Sequence, residues 1–255
     1  MRLSCDVPLA LGYKSASQRA RVLTESWCAR EMYCPACDSS ELTQSPTNTH
    51  AVDFNCPDCH EPFQLKSGTT WNGQKIVDSA YSAMIAAIKS ERVPNLLVLQ
   101  YTTCWDVANM MVIPKLFFTE SIIEKRSPLA STARRAGWIG CNIVIGNMPP
   151  DAKIQIISDG RPIPAKKVRE QFQSVKPLED IDVALRGWTL EVLRLVRGLK
   201  RRTFSLSELY ALEGELASRY PRNSNIRPKV RQQLQVLRDL GFLRFTGSGK
   251  YALIK

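Results

Sequence analysis

The sequence predicts a mixed α/β domain with an embedded four-cysteine metal site over residues 1–180, followed by a basic winged-helix domain over residues 181–255. Three observations predict it. Two C-x2-C pairs, Cys34/Cys37 and Cys56/Cys59, sit about twenty residues apart in one polar segment. Helix-period and strand-period stretches alternate up to about residue 165, and the last seventy residues then run helix, helix, helix, hairpin. The charge is also uneven: of a net +11, residues 1–185 hold 20 basic and 19 acidic side chains, whereas residues 186–255 hold 15 and 5. A segment so basic attracts a polyanion, and duplex DNA is the first candidate.

In chain order, Ser17 to Glu31 reads as a helix with Ala20, Val22, Leu23 and Trp27 as its apolar stripe; Glu25 reads more simply as a solvated carboxylate, a reach toward a metal site through water or Lys66 being the alternative. The cysteine pairs follow. A tetrahedral Zn²⁺ needs four soft ligands from two sides, and a C-x2-C turn lets both thiolates point at one ion. Two disulfides or four free thiols are the plainer reading of the same residues. Cys5, Cys28, Cys104 and Cys141 are scattered and read as buried or inert, and His50 and His60 are not needed by a closed four-thiolate site.

The second pair interrupts a hairpin, with Ala51–Phe54 and Pro62–Lys66 as its strands and the knuckle as its turn. Alternation puts Gln64 and Lys66 on one face and Leu65 on the other. If Asp53 shares the face of Gln64, a carboxylate, an amide oxygen and an ammonium converge, with the Leu65 carbonyl as a further oxygen. That arrangement resembles the PD-(D/E)xK nucleases, in which oxygen ligands hold Mg²⁺ and a Lys orients the attacking water. A zinc ribbon with a solvated Lys66 accounts for the same residues without chemistry.

Beyond the polar loop 67–73, Ile76 to Ser90 reads as one helix through Ile76, Ala80, Met84 and Ile88. Asn95–Tyr101 and Val107–Ile113 read as two strands that complete the sheet. Arg134, Arg135 and Trp138 lie in a stretch of little periodicity, where arginines suit phosphate or guanine edges and a Trp suits a methyl group or base step; a core Trp beside two solvated arginines is the alternative. Residues 153–157 and 161–164 form a hairpin around Asp159-Gly160, and residues 165–184 read as an irregular linker. Trp188–Leu199 is amphipathic. Ser205-Leu206-Ser207-Glu208 is a capping box opening a second helix to about Arg219. A third helix from Asn225 buries Ile226, Val230, Leu234 and Leu237, leaving Arg227, Lys229, Arg231, Gln232 and Gln235 for the major groove, and Phe242–Phe245 with Tyr251–Ile254 forms the wing.

The chain resembles the DpnI-like (Dam-replacing) restriction endonucleases over nearly its whole length. The residues that carry the likeness are Tyr13-Lys14-Ser15 with Ser17-Gln18, Leu23-Thr24-Glu25, the cysteine quartet around Asp53, Pro128-Leu129-Ala130 with Thr132 through Ile143, and Arg231 through Asp239. The family has Glu where this chain has Gln64, and related nucleases of the superfamily use Gln there. The resemblance implies a type II restriction endonuclease that hydrolyses double-stranded DNA at adenine-methylated G-A-T-C sites with Mg²⁺, Zn²⁺ being structural. A non-catalytic reader of methylated DNA and a zinc-containing winged-helix transcription regulator are the competing expectations. No apolar run of about eighteen residues and no signal-peptide region occur, so a cytoplasmic protein off the membrane is expected, with a monomer as the working assumption.

Overall fold

A computed structural model describes residues 1–46, 49, 51–70 and 73–254; His50 lies outside them. Helix α1 (Ala16–Glu31) buries Leu23, Thr24, Trp27 and Cys28 on one side, and the Trp27 indole donates to the Arg2 carbonyl at 2.8 Å. Two short strands, β1 (Thr43–Gln44) and β2 (Phe54–Asn55), precede β3 (Pro62–Gly68). Next come β4 (Ile76–Ala80) and α2 (Tyr81–Lys89). The single helix expected from Ile76 is thus a strand and then a helix. Met84 and Ile88 are the buried helical positions, whereas Ile76–Ala80 pairs antiparallel with a later strand, which satisfies its backbone and leaves Val77 exposed.

β5 (Asn95–Tyr101) and β6 (Val107–Ile113) fall where the apolar runs predict them. They are followed by β7 (Ile123–Lys125), β8 (Gly140–Ile143), β9 (Ile154–Ser158) and β10 (Arg161–Pro162). The β9/β10 turn has Asp159 at φ 47° and Gly160 at φ 70°, the left-handed pair that a tight hairpin requires. Among the described residues the main sheet has the order β1-β2-β3-β5-β6-β9-β10, so it does not end at β6 as expected. Its parallel pair is β3 with β5, and β5 is buried over nearly its whole length, as a central strand covered on both faces must be.

Residues 165–175 are a regular helix of the first unit and not an irregular linker. Helix α3 (Ala165–Val175) buries Val168, Phe172 and Val175, an i, i+4, i+7 stripe that the intervening Lys, Glu and Gln obscure in the sequence, and Pro177 marks its end. Helix α4 (Val183–Gly198) starts five residues before expectation because Asp182 caps it, accepting from the Ala184 amide at 2.8 Å. β11 (Thr203–Ser205) leads into α5 (Leu206–Tyr210), whose capping box is present with both Ser205 and Glu208 engaged. The helix expected to reach Arg219 breaks at Ala211-Leu212 and resumes as α6 (Glu213–Arg219), each half burying one leucine, Leu209 and Leu216. α7 (Ile226–Asp239) is followed by the wing, β12 (Leu243–Gly247) and β13 (Lys250–Leu253), which pairs with both β11 and β12.

The chain packs as two compact units. One comprises Met1–Gly73, Arg92–Lys115 and Asp151–Val175, and the other Gln74–Glu91, Leu116–Pro150 and Lys176–Lys255. The first is the main sheet with α1 and α3. The second combines the small sheet β4-β8-β7 and α2 with the helices and wing of the C-terminal segment. No helix among the described residues is long and apolar enough to cross a membrane.

Within the first unit α3 secures the first cysteine knuckle. Arg169 donates to the carbonyls of Cys34 (3.1 Å) and Ser39 (2.7 Å) and lies over the Tyr33 ring, and Gln173 donates to the Ala36 carbonyl. Two charge-assisted bonds from a side chain only 21% exposed are worth about 2 kcal/mol. Arg169→Ala should therefore lower unfolding stability by about 2 kcal/mol and, if the cysteines hold zinc, speed its loss to a chelator, read by denaturant titration and a zinc indicator; unchanged chelator kinetics would show that the knuckle holds without α3.

Candidate metal centre and nucleic-acid interface

The hairpin is built on the pairing of Phe54 with Phe63, both fully buried. The backbone bonds Asp53 N–H to Phe63 O (2.9 Å) and Cys56 N–H to Glu61 O (3.0 Å) extend it on either side of β2. Its turn holds Cys56 and Cys59. The Sγ atoms of Cys34, Cys37, Cys56 and Cys59 all lie within 4.8 Å of one another, with Cys34 to Cys59 at 3.7 Å and Cys37 to Cys56 at 3.5 Å. A disulfide needs about 2.05 Å. Four sulfurs around Zn²⁺ at about 2.3 Å are separated by roughly 3.8 Å. The quartet therefore fits one zinc ion and not two bridges, and His60, although next to Cys59, is not part of it.

The backbone also favours thiolates here. The Ala36 amide points at Cys34 Sγ (3.3 Å) and the Cys59 amide at Cys56 Sγ (3.4 Å). Burial pushes the Cys34 thiol up, and it also raises Cys59 to about 11. At Cys56 burial is outweighed by the amides of Cys59 and Asp58 and by the neighbouring thiols, which bring it down to about 7. Of the other cysteines, Cys5, Cys28 and Cys141 are buried as expected, whereas Cys104 is exposed.

The same hairpin also carries the second group. The paired register ends at Phe54 opposite Phe63, and Asp53, just before β2, donates its amide to the Phe63 carbonyl, which sets it against the start of β3. Gln64 and Lys66 share one face of β3 by alternation. Asp53, Gln64, Leu65 and Lys66 are half-buried and line one cleft of about 930 Å³ with Thr24, Glu25, Ser67 and Tyr101. The Leu65 amide donates to Asp53 Oδ2 at 2.7 Å, orienting the carboxylate. Glu25, read from the sequence as a solvated helix carboxylate, lines the cleft, where Arg21 (2.8 Å) and Gln44 (3.1 Å) hold its two oxygens. Gln44 itself carried no signal in the sequence, because its place comes only from the pairing of β1 with β2. Asp53, Gln64 and the Leu65 carbonyl offer oxygen donors alone, the type that suits Mg²⁺.

At the far end of β3 the register is locked by Asn95, which is fully buried. It donates to Glu61 Oε2 (2.9 Å) and to the Pro62 carbonyl (3.1 Å) and accepts from the Lys115 amide (2.9 Å).

The expected DNA contacts fall in the second unit. Arg134 and Arg135 are exposed, and Trp138 is half-buried, its ring lying against Gly140 so closely that a Cβ there would meet it at 2.7 Å. The Arg135 guanidinium lies 4.8 Å from the Trp138 ring centroid, so this arginine is stacked and not merely solvated. On α7, Val230, Leu234 and Leu237 face inward, while Arg227, Arg231, Gln232 and Gln235 are exposed and Lys229 is half-buried, bonded to Gln232. Gln233 is fully buried and accepts from Thr189 Oγ1 of α4 at 2.7 Å. Polarity alone gave no sign of it.

If one ion joins both knuckles, its binding energy is part of the folding energy of the hairpin. Cys56→Ser should lose bound zinc and lower the melting temperature, measured by elemental analysis and thermal unfolding. Full zinc content in that variant would refute the shared site.

The sequence profile of the DpnI, Dam-replacing family matches residues 1–181. That of the Dam-replacing HTH domain matches residues 184–253, which span α4 through the wing. With the greater part of its length matched, a four-cysteine cluster in its α/β portion and a helix-turn-helix at its C-terminal end, the chain belongs to the DpnI, Dam-replacing family of restriction endonucleases.

Proposed function

We propose that this protein is a Mg²⁺-dependent type II endonuclease that hydrolyses double-stranded DNA at G-A-T-C sites carrying methylated adenine. In this reading residues 1–180 carry hydrolysis and residues 181–255 carry much of the DNA affinity. The observation that supports it best is that Asp53, Gln64 and Lys66 line one polar cleft, with the Leu65 amide donating to the Asp53 carboxylate. The methylated target rests on the family; the DNA substrate rests also on the charge of residues 186–255.

The residues divide the work as follows. Asp53, Gln64 and the Leu65 carbonyl would hold the metal, which when bound lowers the pKa of water and stabilises the charge that develops on the scissile phosphate. Asp53 is kept in one rotamer by the Leu65 amide. Lys66 orients the attacking water and offsets negative charge as the pentacovalent phosphorus forms. Zn²⁺ in the quartet has a supporting part, since its ligands close the turn of the strand pair that carries Asp53 and Gln64. Arg134, Arg135 and Trp138 contact one stretch of the duplex. Arg227, Lys229, Arg231, Gln232 and Gln235 enter the major groove from α7, the two glutamines suited to adenine edges and the arginines to guanine or phosphate.

The amide at Gln64 favours one competing reading, a methylated-DNA reader that does not cut. Replacing a carboxylate by a neutral oxygen weakens the hold on a hard, reluctantly dehydrated cation. One digest separates the two: methylated plasmid is cut and unmethylated plasmid is not, in Mg²⁺, if the enzyme reading is correct.

Asp53→Ala and Lys66→Ala should each slow cleavage by at least about a hundredfold while leaving DNA affinity largely intact. Gln64→Glu should keep cleavage and lower the Mg²⁺ concentration that gives half-maximal rate. An Asp53→Ala enzyme that still cuts would move the metal site elsewhere. For recognition, affinity should fall steeply and linearly in a plot of log affinity against log salt, and Arg231→Ala or Gln232→Ala should reduce the preference for the methylated site. Affinity that does not respond to salt would exclude the basic C-terminal segment as the main DNA contact.

A further inference from the structure

Two exposed arginines of α7 share one tyrosine. Tyr210, the last residue of α5, is half-buried, and its ring centroid lies 5.0 Å from the Arg227 guanidinium and 5.7 Å from that of Arg231. Its hydroxyl accepts from Arg231 Nε, and Arg227 Nε donates to Glu213 at the start of α6. Arg227 and Arg231 are one helical turn apart, where like charges repel. The negative face of an aromatic ring beside both opposes that repulsion and restricts two side chains that would otherwise sample many rotamers.

This cluster contributes little to folding. The Arg227 side chain is 59% exposed and its ion pair with Glu213 40% exposed on the acid side, and exposed pairs of that kind add little to stability. What it does set is direction. Recognition of a guanine O6/N7 pair needs a guanidinium plane held in one orientation. With Nε of Arg231 taken up by the Tyr210 hydroxyl, its two terminal nitrogens remain as the fork for such a pair.

We propose that Tyr210 is a positioning residue for sequence reading, presenting Arg231 end-on to a guanine edge and holding Arg227 beside it. The proposal rests on the reading of α7 as the element that enters the major groove. It assigns to α5, which itself need not touch a base, a share of the specificity.

The test uses the full-length protein without added Mg²⁺ and two fluorescent duplexes, one with a methylated G-A-T-C site and one of scrambled sequence. Tyr210→Ala should weaken binding to the methylated duplex about tenfold and to the scrambled duplex by less than about twofold, because no charge is removed. Tyr210→Phe, which keeps the ring and loses the hydroxyl, should show a smaller loss of the same ratio, and it serves as the test if the alanine variant melts early. Adding Tyr210→Ala to the double variant Arg227→Ala/Arg231→Ala should weaken binding no further, since the tyrosine acts through the two arginines. Losses that add, or an unchanged ratio in both Tyr210 variants while Arg231→Ala lowers it, would overturn the role of Tyr210 and leave the α7 reading standing. An unchanged ratio in Arg231→Ala would overturn both.

Discussion

The pairing of Phe54 with Phe63 is the constraint on which the rest of the first unit depends. Two fully buried rings on opposite strands make a shift of register by one residue expensive, because β3 is held by β5 and the shift would turn Phe54 out of the core. That single alignment has two consequences. At the turn it brings Cys56 and Cys59 to the sulfurs of Cys34 and Cys37, and just before β2 it sets Asp53 against β3, its amide on the Phe63 carbonyl. The four-cysteine quartet and the proposed catalytic residues are thus coupled through a few residues of backbone.

Supports arrive from distant parts of the chain. The buried Asn95 and the partly exposed Glu61 and Lys115 tie the start of β3 to β5 by a network in which each polar group has a partner. Arg169 and Gln173 of α3 bind the backbone of the first knuckle from 130 to 137 residues away in sequence. A short hairpin is marginal alone. Here the sheet, the quartet and α3 each hold a different side of it. Glu25, Gln44 and Tyr101, also lining the cleft, come from elements that only the completed sheet brings together.

The helix-turn-helix end follows a different logic, in which a rigid interior fixes what an exposed face presents. The buried Thr189–Gln233 bond and the leucines at 234 and 237 hold the rotation of α7 against α4. With that rotation held, Arg227, Arg231, Gln232 and Gln235 share the outward side. In the proposed reading the charge of the segment supplies attraction without direction, and the Tyr210 ring supplies orientation.

The sequence by itself determined the features that depend on local spacing. C-x2-C turns, the strands at Asn95–Tyr101 and Val107–Ile113, the capping box at Ser205 and the Asp159-Gly160 turn all follow from residues within a few positions of one another. The tertiary structure alone decided where nonlocal partners override the local pattern. Ile76–Ala80 continues a helical stripe into Met84 and Ile88, yet it is a strand because β8 offers it a ladder of hydrogen bonds. Residues 165–175 look like a polar linker, yet they fold as α3 because Val168, Phe172 and Val175 find a core to enter and Arg169 finds two carbonyls. Glu25 reads as solvated on its own helix and lines the cleft only because α1 packs on β3. In each case the deciding energy is burial or a hydrogen bond to a partner tens of residues away, which short-range periodicity does not encode.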